Sequence, residues 1–140
     1  MSVDLDSRVA GLRRSAVFGG LDDEFLTRLA ASMSEATFSA GSVLIEARAP
    51  GSGMFVIDEG TVTVHPRESD PVVLGPGEVV GELALLIADG KRTARVQAAT
   101  DVRCLTLDRA TLQQALEEEP KLAAALLQSA VERLSAQILS

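Results

Sequence analysis

Over the first 34 residues apolar positions recur at helical spacing, and beyond them the period shortens to two. Val3 to Arg14 sets Leu5, Val9 and Leu12 three or four apart, which predicts a short helix. Phe18 and the Gly19-Gly20 break then precede Leu21. Asp22 or Asp23 is placed to cap a second helix with Phe25, Leu26, Leu29 and Met33 on one side. From Glu35 onward short β-like runs alternate with glycine-containing turns. The predicted strands are Glu35–Phe38, Ser42–Glu46, Met54–Asp58, Thr61–Pro66, Val72–Leu74, Val79–Val80, Arg95–Gln97 and Val102–Leu107. Asp58-Glu59-Gly60-Thr61 reads as a hairpin turn with Gly60 at positive φ, and Gly75-Pro76-Gly77-Glu78 as a second turn.

Helical spacing returns after Leu107. Asp108 caps a predicted helix from Arg109 to about Glu118 that bears Leu112 and Leu116. Pro120 breaks it and opens a last helix, Lys121 to Ser140. That helix carries Ala124, Leu127, Val131, Leu134 and Ile138 as one apolar stripe, with Leu122 and Leu126 near the opposite side. Two apolar faces call for two packing partners, or for one core that takes both. The whole pattern predicts a mainly β fold with flanking helices, an eight-stranded jelly-roll-like β-barrel. Its parts would be an N-terminal helical segment 1–34, a barrel 35–107 and C-terminal helices 108–140, all one domain.

Composition narrows the function classes. A chain of 140 residues supports one good core and not two. With 46% hydrophobic residues and no Trp or Tyr, that core is aliphatic. The apolar runs fall short of a membrane span and no signal-peptide pattern opens the chain, so a cytoplasmic location is expected. Cys104 is the one cysteine, which excludes a disulfide framework and predicts a buried thiol in VRCLTL. The net charge of −7 argues against direct nucleic-acid binding, which needs a basic face. An anionic ligand would therefore be drawn by local charge, from Lys91, Arg92 and Arg95.

The candidate chemistry lies in Val80 to Ala98, VGELALLIADGKRTARVQA. Gly81 permits a tight backbone approach. Glu82 to Leu86 make one helical turn, and its free N–H groups, with Leu83 and Ala84 at its start, suit a phosphate. Arg92 follows Glu82 by ten residues and offers a planar fork for two parallel hydrogen bonds, to which Thr93 adds a hydroxyl. Glu82, an acceptor when ionised, suits a sugar hydroxyl. A phosphate and a ribose hydroxyl in one pocket make a nucleotide pocket. No catalytic constellation accompanies it. His65 is the single histidine, so no histidine pair can hold a metal, and no Walker loop, Gly-x-Ser-x-Gly or Cys-x-x-Cys is present. Asp22-Asp23 and Asp58-Glu59 read as cap and turn residues, and Glu117-Glu118-Glu119 as a solvated helix end.

The run Gly81-Glu82-Leu83-Ala84-Leu85-Leu86, followed by Arg92-Thr93-Ala94-Arg95-Val96-Gln97-Ala98, resembles the phosphate-binding cassette of the cyclic-nucleotide-binding domains. The Glu-to-Arg spacing is that of the bacterial catabolite activator protein, and the likeness covers about Val17 to Ile138. The resemblance implies a ligand, cAMP or cGMP, and no metal, with Glu82 on the ribose 2′-hydroxyl and Arg92 on the cyclic phosphate. It implies a base cap from the last helix, where Gln137 stands at the family's base-contacting position. One loop departs from the pattern: Arg48 stands where the family usually has glycine, and Ser52 where an acidic residue is common. The expected function is a cyclic-nucleotide sensor without enzymatic activity that signals through its C-terminal helix, with cAMP the expected ligand on the bacterial spacing and Thr93 serving the phosphate. A cGMP-preferring sensor, a regulatory fragment of a larger transcription factor, enzyme or transporter, and a domain that has lost its ligand are the alternatives. The C-terminal helix is also the expected seat of a homodimer or partner-domain contact.

Overall fold

The computed structural model describes residues 4–46, 53–66, 70–81 and 94–139, the last helix from 133 onward by its backbone alone. Two helices open the chain, α1 (Leu5–Arg13) and α2 (Asp23–Ser32). Eight strands follow: β1 (Ser34–Phe38), β2 (Val43–Ile45), β3 (Gly53–Glu59), β4 (Val62–Pro66), β5 (Val72–Leu74), β6 (Val79–Val80), β7 (Ala94–Ala98) and β8 (Val102–Asp108). Helices α3 (Arg109–Glu118) and α4 (Pro120–Leu139) complete the described chain. Three aspartates cap helices by accepting a backbone N–H: Asp4 from Ser7 at 2.8 Å, Asp22 from Phe25 at 3.2 Å and Asp108 from Thr111 at 2.7 Å.

The strands form two antiparallel four-stranded sheets, β1-β8-β3-β6 and β2-β7-β4-β5. The expected barrel is corrected here, because the sheets stack as separate layers and do not close. The edge strands β2, β5 and β6 have only two or three residues, too few to carry a ladder from one sheet to the other. A second correction concerns Asp58–Thr61. Gly60 does have positive φ, at 90°. The turn, however, joins β3 of the first sheet to β4 of the second, so it is a crossing between layers and not a hairpin. A Cβ on Gly60 would meet the Asp101 carbonyl oxygen at 2.2 Å, which shows how closely this turn abuts the one between β7 and β8. Thr61 N–H donates to Thr100 Oγ1 at 3.0 Å and ties the two turns together.

Period-two alternation divides the apolar residues between two cores. Met54 and Val56 of β3, Val79 of β6 and Leu105 and Leu107 of β8 face the helices. There they pack with Leu12, Phe18, Phe25, Leu26, Leu29, Leu112, Leu122 and Leu126. Their neighbours Ile57, Val80, Val102 and Cys104 point the other way, toward Ile45, Val62, Val64, Ala94, Val96 and Ala98 of the second sheet. The described helices thus cover one face of the first sheet, while Thr63, Arg95 and Gln97 lie on the opposite parity to the buried positions of the second sheet.

Helix α4 turns one of its two apolar faces to the core among the described side chains. Among its described side chains Leu122, Leu126 and Ala130 are buried, whereas Leu127 is 59% and Val131 51% exposed. Both faces are apolar, and the side carrying the smaller set is the one that meets the helix-side core.

Candidate functional site

The turn Gly75–Glu78 delivers the chain to the candidate site. Glu78 N–H bonds to the Gly75 carbonyl at 3.1 Å, with Pro76 and Gly77 between them and Gly77 at φ 90°. Proline second and a positive-φ glycine third is the pattern of a type II turn. The same turn is laced to β3: Ile57 N–H donates to the Glu78 carbonyl at 2.9 Å, and Gly77 N–H donates to the Ile57 carbonyl at 2.8 Å. Val79 and Val80 then form β6 beside Val56 and Phe55.

Gly81 follows with φ 92°, a conformation that side-chain-bearing residues rarely adopt. The chain re-enters at Ala94, which starts β7 between β2 and β4 of the other sheet. Residues 82–93 therefore connect an edge strand of one sheet to an inner strand of the other, and both attachment points, Val80 and Ala94, belong to the inter-sheet core. Glu82, Leu83, Ala84, Arg92 and Thr93 lie outside the described residues, as do Arg48, Ser52 and the side chain of Gln137. The backbone at 137 is helical, since α4 runs to Leu139. Arg95 is exposed and stands on the opposite parity of β7 from the buried Ala94 and Val96.

One cluster, next to the residue that bonds the Gly75–Glu78 turn, was not anticipated. Asp58, read from the sequence as a turn residue, is only 5% exposed. Its Oδ2 accepts from Arg103 Nε at 3.1 Å and from Arg103 Nη2 at 2.8 Å, and its Oδ1 accepts from Arg14 Nη2 at 3.1 Å. Arg103 also reaches Glu59 at 3.0 Å. The hydrogen bond from Arg103 to Asp58 is the main cause that holds the guanidinium pKa above its ordinary value. The register explains the burial. Ile57 pairs with Cys104 and Glu59 with Arg103, so Asp58 is the extra residue of a β-bulge. Its even position, shared with Met54 and Val56, was the available clue, for it places an acid on the helix-facing side of β3.

Other described features carry less chemistry. Cys104 is fully buried, and burial pushes its thiol up to about 12. Among the described residues no three His, Cys, Asp or Glu side chains are grouped to hold a metal, and no helix is long and apolar enough to cross a membrane. A groove of about 300 Å³ runs between Ser15–Val17, Gly77–Val79 and the Ala125–Glu132 stretch of α4.

Comparison with known proteins places this geometry in a family. Residues 35–119 match the model of the cyclic nucleotide-binding domain. A cyclic nucleotide-gated potassium channel of Mesorhizobium japonicum is 35% identical over 120 residues, covering 86% of this chain and 33% of the channel. A CRP-like cAMP-activated global transcriptional regulator of Mycobacterium tuberculosis is 26% identical over 128 residues, covering 88% of this chain and 57% of the regulator. The chain thus spans about a third to somewhat over half the length of these relatives. Among solved structures, the N-terminal domain of a transcriptional regulator from Streptomyces coelicolor A3(2) superposes with a TM-score of 0.69. That structure is 39% identical, and the match covers 90% of this chain and 93% of that one. On the match over 35–119 and the two-sheet fold together, the chain belongs to the cyclic nucleotide-binding domain family.

Proposed function

We propose that the chain is a regulatory sensor that binds cAMP in preference to cGMP and leaves the ligand chemically unchanged. The observation that carries this reading is the setting of the 82–93 segment. It leaves the first sheet through Gly81 at φ 92° and enters the second at Ala94, within a chain that matches the family model on both sides. In this reading Arg92 meets the cyclic phosphate, Glu82 the ribose 2′-hydroxyl, and the N–H groups near Leu83 and Ala84 the remaining phosphate oxygens. Thr93 adds a hydroxyl to the phosphate. The regulator from Mycobacterium tuberculosis, named as cAMP-activated, supports the choice of cAMP.

The signal leaves through α4. Gln137 caps the base with one donor and one acceptor. The exposed Leu127–Val131 face meets a second subunit or a partner domain. Titration calorimetry with cAMP and with cGMP tests the reading. Saturable binding of cAMP, tighter than that of cGMP and with no opened 5′-monophosphate formed, is the expected result. Absence of binding by either nucleotide at millimolar concentration would refute it. Tighter cGMP binding, abolished in Thr93→Ala, would reassign the ligand.

A further inference from the structure

The geometry points to Asp58 and Arg14 as positioning residues for the cyclic-nucleotide segment, acting through the Gly75–Glu78 turn; the inference rests on the reading that residues 81–93 bind the ligand. Three contacts and the Ile57–Asp58 chain link form a closed circuit, and a fourth contact anchors it. Asp58 Oδ1 accepts from Arg14 Nη2 at 3.1 Å and draws the connector after α1 onto β3. The Arg14 carbonyl lies against Gly77, where a Cβ would come within 2.9 Å of the oxygen. Gly77 and Glu78 are bonded through their backbones to Ile57, the residue before Asp58. Asp58 is anchored in turn by two N–H groups of Arg103. On α1, Gly11 leaves room for the carboxylate, since a Cβ there would meet Asp58 Oδ1 at 2.6 Å.

The circuit has a direction. Gly77 is followed by Glu78, the two residues of β6, and Gly81, so an offset at Gly77 travels through a short, paired strand to the first residue of the binding segment. The Arg14–Asp58 bond clamps the connector against this turn from the side that the backbone bonds to Ile57 leave open. An anion buried to 95% with donors from two elements holds its geometry far better than an exposed ion pair. The guanidinium of Arg14, by contrast, belongs to a side chain 58% exposed, so removing it opens the clamp while leaving Asp58 paired with Arg103. Positioning and folding are thereby separable.

The experiment compares cAMP affinity, melting temperature and amide exchange at Val79–Gly81 in the parent chain and in Arg14→Ala, Arg14→Lys and Arg28→Ala. Arg28 forms an exposed pair with Glu118 at 3.1 Å on α2 and α3 and serves as the control. Arg14→Ala should weaken cAMP binding about three- to tenfold and speed exchange at Val79–Gly81, with a melting temperature close to that of Arg28→Ala. Arg14→Lys, which keeps a charge for Asp58, should recover most of the affinity, and Arg28→Ala should bind as the parent does. Parent-like affinity and parent-like exchange in Arg14→Ala would overturn the inference. If the parent itself bound no cyclic nucleotide, the ligand assignment would fall, and unchanged exchange at Gly81 in Arg14→Ala would still overturn the clamp on its own.

Discussion

Arg103 and Asp58 meet across the β3–β8 pair with two guanidinium N–H groups on a single carboxylate oxygen, at 3.1 and 2.8 Å. Removing water from that carboxylate is costly, and the doubly bonded Arg103 offsets most of the cost. Arg103→Met should therefore destabilise the fold by about 2–4 kcal/mol, because it leaves a buried anion with one partially exposed donor. Arg28→Ala, which breaks an exposed pair, should cost no more than about 1 kcal/mol. Urea unfolding of the two variants checks the contrast, and equal midpoints would show that the burial of Asp58 carries no penalty.

Gly60 tests the crossing between sheets. Its φ of 90° and the 2.2 Å approach of the Asp101 carbonyl leave no room for a methyl group. Gly60→Ala should lose about 2 kcal/mol or more, combining left-handed strain with a clash against backbone that cannot swing aside. Thermal melts provide the measurement; a loss below about 0.5 kcal/mol would mean that the turn relaxes freely.

Cys104 reports global opening. With its thiol pushed up to about 12 by burial and by the charge of Asp58, almost no thiolate exists at neutral pH in the folded state. Labelling by a thiol reagent at pH 8 should be slow in the native protein and immediate in urea. Cyclic nucleotide at 100 times its dissociation constant should slow native labelling about a hundredfold, as mass action requires for opening linked to ligand release. Fast labelling of the folded chain would contradict the packing around β8.

Helix capping makes the fold sensitive to acid. Hydrogen bonds from Thr111 hold the Asp108 carboxyl below its ordinary value, and those from Ser7 do the same for Asp4. A depressed native pKa stabilises at pH values above the unfolded one, and the contribution disappears as pH falls through the native value. Asp108→Asn should therefore flatten the loss of stability on the acid side of pH 4 while changing little near neutrality, because asparagine also caps. Denaturant titrations between pH 2 and pH 7 measure the slope.

Within the binding segment, Arg92→Ala should cost on the order of 2–4 kcal/mol of cAMP affinity, a hundredfold or more, since it removes the full charge proposed to meet the phosphate. Glu82→Ala should cost less, as a charged acceptor loses a neutral hydroxyl. Calorimetry decides, and an Arg92→Ala chain that binds within a few-fold of the parent would move the phosphate elsewhere.

The strand ranges were legible because inward and outward positions alternate over so many short runs, and because glycines mark nearly every turn. Alternation names a residue's face and not its neighbour strand, which is why the Gly60 turn looked like a hairpin. For α4 the sequence offered two apolar faces and no way to rank them, since Leu122 and Leu126 are chemically the same as Leu127 and Leu134. Asp58 escaped notice because an acid before Glu-Gly has turn chemistry, although its parity with Met54 and Val56 puts it on the helix-facing side of β3. For the candidate site, the motif names Gly81 through local backbone chemistry, and the structure adds its φ of 92° without reaching Glu82, Arg92 or Thr93.

The pairing of β1 with β8 also sets a timetable for folding. Ser34 and Thr106, partners in that ladder, are 72 residues apart in sequence, and β8 is the single ladder neighbour of β1 among the described residues. At about 5–20 residues per second of synthesis, β1 waits some 4–14 s for its partner to be made. Closing so large a loop must precede the contacts that reward it, so the first sheet assembles late and slowly. The greasy side of α2 stays uncovered through that interval, and a nascent chain stalled before β8 is a natural client for chaperones.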